Sequence, residues 1–158
     1  MLHRKLIEAV AAAALLGLGT MAASADQLKT TSKKAAFDDV KADVADAIIG
    51  KGLTVDYRGN IAGMLDRTGK DVGSDKKVYK AAEYVTFCSA KLSRAMMEAA
   101  SGNMGFCPYV VFYYEAADKP GEIVVGYRRP GEGKNDAAKK ALKDIDDLLD
   151  GIVKEATK

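Results

Sequence analysis

Apolar residues along this chain recur with two different periods, and the two periods alternate from segment to segment. Three segments carry an apolar side chain every three or four residues, the spacing of one helix face, and they are residues 37–48, 92–99 and 142–153. Strand-forming Val, Tyr, Thr and Phe recur in four others, residues 53–58, 83–88, 109–114 and 123–127. Residues 28–34 are short and polar-alternating, which predicts a fifth strand at an edge of the sheet. Three helices that each bury a face against about five strands predict a two-layer α+β domain with a mixed, mostly antiparallel sheet.

Two segments of this pattern stand apart. The run Tyr109–Tyr114 is apolar at every position, which predicts a central strand covered on both faces. Residues 59–80 contain four glycines and only enough apolar residues for one or two helical turns, around Ile61 to Leu65. A loop-rich excursion of this length is either functional or a solvated connector.

The first 25 residues are typical of a secretory signal. Basic residues follow the start, the stretch Leu6 to Met21 is apolar, and Ala23-Ser24-Ala25 matches a small-residue cleavage site. An uncleaved anchor is the alternative, although the apolar stretch is shorter than the roughly 20 residues of a membrane span. We therefore predict a signal peptide over residues 1–25, a single domain over residues 26–158, and a periplasmic protein with no membrane span after cleavage.

Cleavage would remove His3, the single histidine of the chain. A mature protein without histidine has no Ser-His-Asp or Cys-His nucleophile pair, no His-ligated metal and no CxxCH haem attachment. The 24 basic and 22 acidic residues alternate in sign along the chain, which disfavours a nucleic acid as partner. No two carboxylates along the chain have a spacing that would indicate a hydrolase. These exclusions favour a protein that is not an enzyme.

Two cysteines, Cys88 and Cys107, are the first candidates for chemistry. Two cysteines in an exported protein usually form a disulfide, and the 18 residues between them give a loop whose closure contributes roughly 3 kcal/mol of stability. If the helix between them joins parallel strands, however, the two residues lie at opposite ends of the sheet, too far apart to bridge. The sequence therefore predicts either a disulfide or a free redox pair.

A soft-metal site is the competing interpretation of the same residues. Thiolate and thioether sulfur suit copper, and Met104 lies three residues before Cys107. Copper or haem iron held by Cys88, Cys107 and Met104 is the alternative to a protein without cofactors. Methionine also fills gaps in protein interiors without any ligating role.

Four polar residues form a second candidate site, for a small anion. Asp66 and Arg67 lie in the glycine-rich excursion, and Arg128 and Arg129 follow the last predicted strand. Arginine binds oxyanions such as sulfate, thiosulfate or carboxylates through two parallel hydrogen bonds. Ion pairing at the surface is the simpler explanation of the same residues.

The order of these segments resembles the DUF302 family of uncharacterised proteins over about residues 30 to 130. The likeness rests on Gly52-Leu53-Thr54-Val55, on residues 84–91, on Cys107-Pro108 followed by residues 109–115, and on residues 125–130. The resemblance implies a small two-layer α+β fold, often a homodimer, and exported members accompany sulfur-oxidation and electron-transfer proteins. The cysteines are not general in that family.

Two functions follow as hypotheses. The first is a periplasmic binding or accessory protein that holds a small anion or sulfur species and is linked to sulfur-compound oxidation or electron transfer. The second is a redox or soft-metal protein that uses Cys88 and Cys107, together with a periplasmic redox partner.

Overall fold

The computed structural model describes residues 27–158. Its elements in chain order are β1 (Leu28–Lys34), α1 (Phe37–Ile49), β2 (Val55–Asn60), α2 (Ile61–Thr68), β3 (Tyr79–Phe87), α3 (Ala90–Ala99), β4 (Tyr109–Ala116), β5 (Glu122–Arg128) and α4 (Asp136–Ala156). Two short 3₁₀ turns, Lys70–Val72 and Ser101–Phe106, precede β3 and β4. We call the second of these the 3₁₀ segment. The predicted signal peptide lies outside the described residues.

All five strands form one sheet in the order β1-β5-β4-β3-β2, so the two strands that come first in the chain occupy its edges. Every neighbouring pair is antiparallel, which confirms the α+β prediction and refines its mixed sheet to an antiparallel one. The sheet has no parallel pair because the connection through α1 passes from one edge to the other instead of placing β2 beside β1. Among residues 27–158, no helix has both the length and the hydropathy for crossing a membrane.

One face of the sheet is covered by helices. The apolar stripe of α4 is buried as the periodicity predicts, and it includes Leu142, Ile145, Leu149, Ile152 and Val153. Helix α1 contributes Val40, Val44 and Ile48, and α3 contributes Met96. These side chains meet alternate residues of the central strands, so the hydrophobic core lies between the helices and this one face.

The opposite face is largely open, which corrects the prediction for β4. This strand is central, but Val111 is fully buried whereas its neighbour Val110 is 39% exposed. Helix α2 corresponds to the longer of the one or two turns predicted for the excursion, and it follows Asn60, whose side chain accepts a hydrogen bond from the Gly63 N–H. It packs against β3, where Ala82 is buried, and leaves the rest of this face uncovered. An apolar run therefore did not require two covering layers.

A glycine lets an aromatic ring lie flat on the open face. A Cβ atom on Gly126 of β5 would lie 2.8 Å from Cζ of Phe112, its partner on β4, so a larger residue would push the ring away. Gly59 and Tyr84 form the same arrangement between β2 and β3. The rings lower the exposure of the backbone, but they leave a flat apolar surface towards the solvent.

Candidate functional site: a sheet-end pocket beside a cysteine pair

A pocket of about 410 Å³ lies at the end of the sheet where β1 and β4 begin and β5 ends. We call it the sheet-end pocket. Its apolar lining includes Leu28, Phe106, Pro108, Phe112, Ile145 and Leu149. The volume is within the range of small-molecule sites, and a mostly apolar lining with a few polar groups is typical of them.

Local structure explains why these residues meet. Leu28 pairs with Arg128 in the ladder between β1 and β5, so both reach the same end of the sheet. Ile145 and Leu149 are one helical turn apart on α4, and so the same face of that helix contributes both to the lining. The 3₁₀ segment contributes Phe106, which is 36% exposed and lines the pocket instead of joining the core.

Two consecutive arginines at this pocket have different surroundings. The Arg129 guanidinium donates from Nε and Nη2 to the two carboxylate oxygens of Asp146, at 3.3 and 3.1 Å. Asp146 also accepts a hydrogen bond of 2.9 Å from the Tyr127 hydroxyl, and burial together with this carboxylate raises the pKa of Tyr127. The charge of Arg129 is therefore compensated within the protein.

Arg128 lines the same pocket and is exposed. It forms no ion pair or side-chain hydrogen bond with the residues that the structure describes. The pocket thus combines an apolar interior with one positive charge that no carboxylate of residues 27–158 balances. This arrangement suits a ligand with an apolar body and one negative group.

The other half of the predicted anion site lies elsewhere. Asp66 and Arg67 are on α2, which packs against β3, two strands away from Arg128 in the sheet. The Asp66 carboxylate forms an exposed ion pair with Lys77. The structure therefore brings Arg128 and Arg129 to one pocket and does not bring Asp66 or Arg67 to it.

Cys88 and Cys107 lie side by side at the same end of the sheet. Strands β3 and β4 are antiparallel neighbours, with Phe87 opposite Tyr109, so the chain leaves β3 at Cys88 and returns through Cys107 to the same place. Both are free thiols, and their Sγ atoms are 2.8 Å apart. The separation to opposite ends of the sheet that parallel strands would cause does not occur.

The surroundings of the cysteines are partly buried and polar. Burial, the contact with Cys107 and the charge of Asp56 raise the pKa of the Cys88 thiol to about 11. The Ser93 hydroxyl shares a 2.9 Å hydrogen bond with the Tyr109 hydroxyl and lies 3.8 Å from the sulfur of Cys107. Helix α3 is thereby linked to both Cys107 and the start of β4.

Met104, the third residue of the predicted metal site, lies in the 3₁₀ segment and is 68% exposed. Among residues 27–158, no group of three or more His, Cys, Asp or Glu side chains has the arrangement of a metal site. The structure brings two of the three predicted sulfur ligands together.

Sequence reasoning missed most of the pocket. Phe106 and Pro108 flank Cys107 but were not predicted as site residues, and Phe112 was assigned to a covered face. One sequence feature could have indicated the pocket. Phe106 is a large aromatic residue in a connection that contains glycines, and it fits neither the helical nor the strand periodicity of apolar residues.

Comparison with known proteins agrees with this architecture. The sequence profile of the family described as "Domain of unknown function DUF302" matches residues 28–156. This chain belongs to the DUF302 family. The match runs from the first residue of β1 to the last residue of α4, so the DUF302 domain includes the C-terminal helix, beyond the residue 130 at which the resemblance was expected to end.

A solved DUF302 structure has the same fold. The crystal structure of the uncharacterized conserved protein DUF302 from Bacillus stearothermophilus superposes with a TM-score of 0.69, at 14% sequence identity, over 84% of this chain and 98% of the other. At this identity the likeness concerns the fold alone. No curated protein matches the sequence.

Proposed function

We propose that this DUF302 protein binds a small amphipathic organic anion in the sheet-end pocket, and that it carries or presents this ligand instead of transforming it. The observation that carries the proposal is the uncompensated charge of Arg128 at an apolar pocket of about 410 Å³. An apolar body would displace water from Leu28, Phe106 and Phe112, and a carboxylate or sulfonate would pair with the guanidinium.

The lining favours an organic anion over an inorganic one. Sulfate or thiosulfate would need several donors to replace its water shell, and Asp146 already occupies Arg129. An organic sulfonate or carboxylate needs fewer donors because its apolar part is stabilised by the lining. The family resemblance leads us to expect a link to sulfur-compound oxidation in the periplasm. An organic sulfonate is the class of ligand that fits both this expectation and the pocket.

Two fluorescent probes of almost equal shape test the proposal. Anilinonaphthalene sulfonate carries an anionic group, and phenylnaphthylamine is the same ring system without it. We expect Arg128→Gln to weaken sulfonate binding by about fivefold, since a partly exposed ion pair contributes about 1 kcal/mol, and to leave binding of the neutral probe unchanged. Fluorescence titration at fixed ionic strength measures both affinities.

Arg67→Gln is the matched control, because Arg67 is an exposed arginine that does not line this pocket. It should change neither affinity. Absence of sulfonate binding, or equal losses in both arginine variants, would overturn the proposal. If a second copy of the chain covers the pocket instead, as in the homodimer implied by the family resemblance, sedimentation would show a dimer that the probe does not dissociate.

The cysteine contact supports a second candidate function, thiol–disulfide exchange with a periplasmic partner. Exchange begins with attack by a thiolate, and the raised pKa of Cys88 keeps that thiol protonated at neutral pH. Rapid exchange is therefore less well supported than ligand binding. Mixing the reduced protein with a chromogenic disulfide at pH 7 measures the rate, and we expect reaction no faster than that of a free thiol.

A further inference from the structure

The cysteine pair and the sheet-end pocket share one short segment of chain. Four of the five residues from 105 to 109 line the pocket, namely Gly105, Phe106, Pro108 and Tyr109. Cys107 is the fifth, and its sulfur contacts Cys88 instead. Any covalent change at Cys107 therefore acts directly on the wall of the pocket.

The two cysteines differ in how firmly their backbone is held. Cys88 directly follows β3, which has a neighbouring strand on each side, and precedes Ser89, which is buried and caps α3 by accepting a hydrogen bond from the Leu92 N–H. Cys107 follows the 3₁₀ segment, of which only Asn103 is not exposed. Within the described part of the chain, one side-chain hydrogen bond joins this segment to α3, from Asn103 Nδ2 to the Met96 carbonyl.

We infer that Cys88 and Cys107 are a reversible disulfide site, and that closing the disulfide fixes the wall of the sheet-end pocket and raises its affinity for the anionic ligand. The co-reactant is a small disulfide such as oxidised glutathione. The two thiols of the protein lose two protons and two electrons and form one S–S bond, while the small disulfide gains both and leaves as two thiols. The affinity change rests on the proposed function, whereas the disulfide does not.

The geometry supports both steps. The sulfurs are in contact, so bond formation needs no change in the pairing of β3 with β4. The bond would give the segment from 101 to 107 a second anchor, at the end opposite to that held by Asn103. A wall held in position before binding loses less conformational entropy on binding, and this raises affinity.

Thermodynamic linkage makes the inference quantitative. If oxidation tightens ligand binding by a given factor, then bound ligand must favour the disulfide over the dithiol by the same factor. We expect a factor of about five, at the lower end of typical couplings between sites. The two factors are measured separately and must agree, so two different factors would overturn the coupling.

The full-length protein is equilibrated in glutathione buffers of graded ratio, quenched in acid, alkylated and weighed intact. The fraction with a disulfide is plotted against the squared concentration of reduced glutathione divided by the concentration of oxidised glutathione, with and without saturating anilinonaphthalene sulfonate. We expect a disulfide to form, the midpoint to move about fivefold towards reducing conditions with the probe, and the oxidised protein to bind the probe about fivefold more tightly than the reduced one.

Two controls separate the causes. Cys88→Ser with Cys107→Ser should bind the probe with one affinity in every buffer. Amide hydrogen exchange over residues 101–107 should slow on oxidation of the native protein, whether or not the probe is present.

Each outcome has a distinct meaning. Absence of a disulfide in every buffer would overturn the inference and leave the proposed function standing if the probe binds. If a disulfide forms, but the oxidised and reduced proteins bind the probe equally and amide hydrogen exchange over residues 101–107 is unchanged, only the coupling is overturned. If no form binds the probe, the proposed function and the coupling both fail, and exchange over residues 101–107 still decides whether the disulfide fixes the segment.

Discussion

The two faces of the sheet contain similar residues, but one face is buried under helices and the other is largely exposed. On β4, Val111 and Tyr113 point towards the helices and are fully buried, whereas Val110, Phe112 and Tyr114 point the other way and remain partly exposed. Both faces of β4 therefore consist largely of Val, Phe and Tyr side chains. The difference shows that apolar content determines that a segment becomes a strand, while the number and position of the helices determine which of its faces becomes core and which is left to bind something.

The largest expected effect comes from a pair of neighbouring valines. Val111→Ala removes two methyl groups from a site with no exposed surface, and we expect it to lower the free energy of unfolding by about 2 kcal/mol. Val110→Ala should lower it by less than about 0.5 kcal/mol, because Val110 already contacts water. Urea denaturation of both variants measures the difference. Equal losses would mean that another chain covers the open face.

A second test asks whether the ligand binds in the sheet-end pocket, where the uncovered face of the sheet contributes to the lining. A Cβ atom would meet nothing within 4 Å at either Gly105 or Gly102 of the 3₁₀ segment, but only Gly105 lines the pocket. We expect Gly105→Trp to fill the opening and weaken binding of anilinonaphthalene sulfonate by about tenfold, at unchanged stability. Gly102→Trp should bind the probe as the native protein does. Equal affinity of the two variants would place the bound probe outside the sheet-end pocket.

The smallest effect is electrostatic and compares two adjacent tyrosines. Burial and the nearby Glu83 raise the pKa of Tyr113 on the covered face to about 12, against an ordinary value of 10.0. A hydroxyl whose pKa is higher in the folded protein stabilises the fold below the unfolded pKa. This stabilisation is lost as the pH rises from about 10 to about 12.

Tyr113→Phe should therefore flatten the fall in unfolding free energy across this pH range, apart from any loss at neutral pH of its hydrogen bond to Glu83. The pKa of Tyr114 on the open face is also raised, with burial as the first cause, but half-exposed groups are affected less. Tyr114→Phe should change the slope less. Urea denaturation at several alkaline pH values measures both slopes, and a steeper change for Tyr114 would contradict the assignment of the faces.

Much of the fold was predictable because it depends on local patterns. The five strands, helices α1, α3 and α4, and the hairpin between β4 and β5 follow from the apolar period and from turn residues such as Pro120-Gly121. Helix α2 was predicted as one or two turns without defined ends because its apolar face is short, and its start depends on the capping side chain of Asn60. Residues that carry chemistry were recognised by type, but which of them lie together depended on strand order, which the sequence left open.

The sequence did not predict which site residues lie together where this depends on which strands are neighbours in the sheet. Arg128 and Arg129 were predicted to act with Asp66 and Arg67, yet the strand order separates the two pairs and gives Arg129 a partner in Asp146 on α4. The cysteines illustrate the opposite case. Parallel strands would have separated them, and the antiparallel pairing of β3 with β4 brings their sulfurs into contact.

The sequence by itself determined the elements of this DUF302 domain, the segment that resembles an export signal, and the scarcity of histidine, because each depends on composition or on short-range periodicity. Only the tertiary structure decided that one face of the sheet stays open, that Arg128 lacks a carboxylate partner in the described residues while Arg129 has one, and that Cys107 adjoins a pocket. These are contacts between residues distant in the chain. They depend on the order in which the strands assemble, and local patterns carry no information about that order.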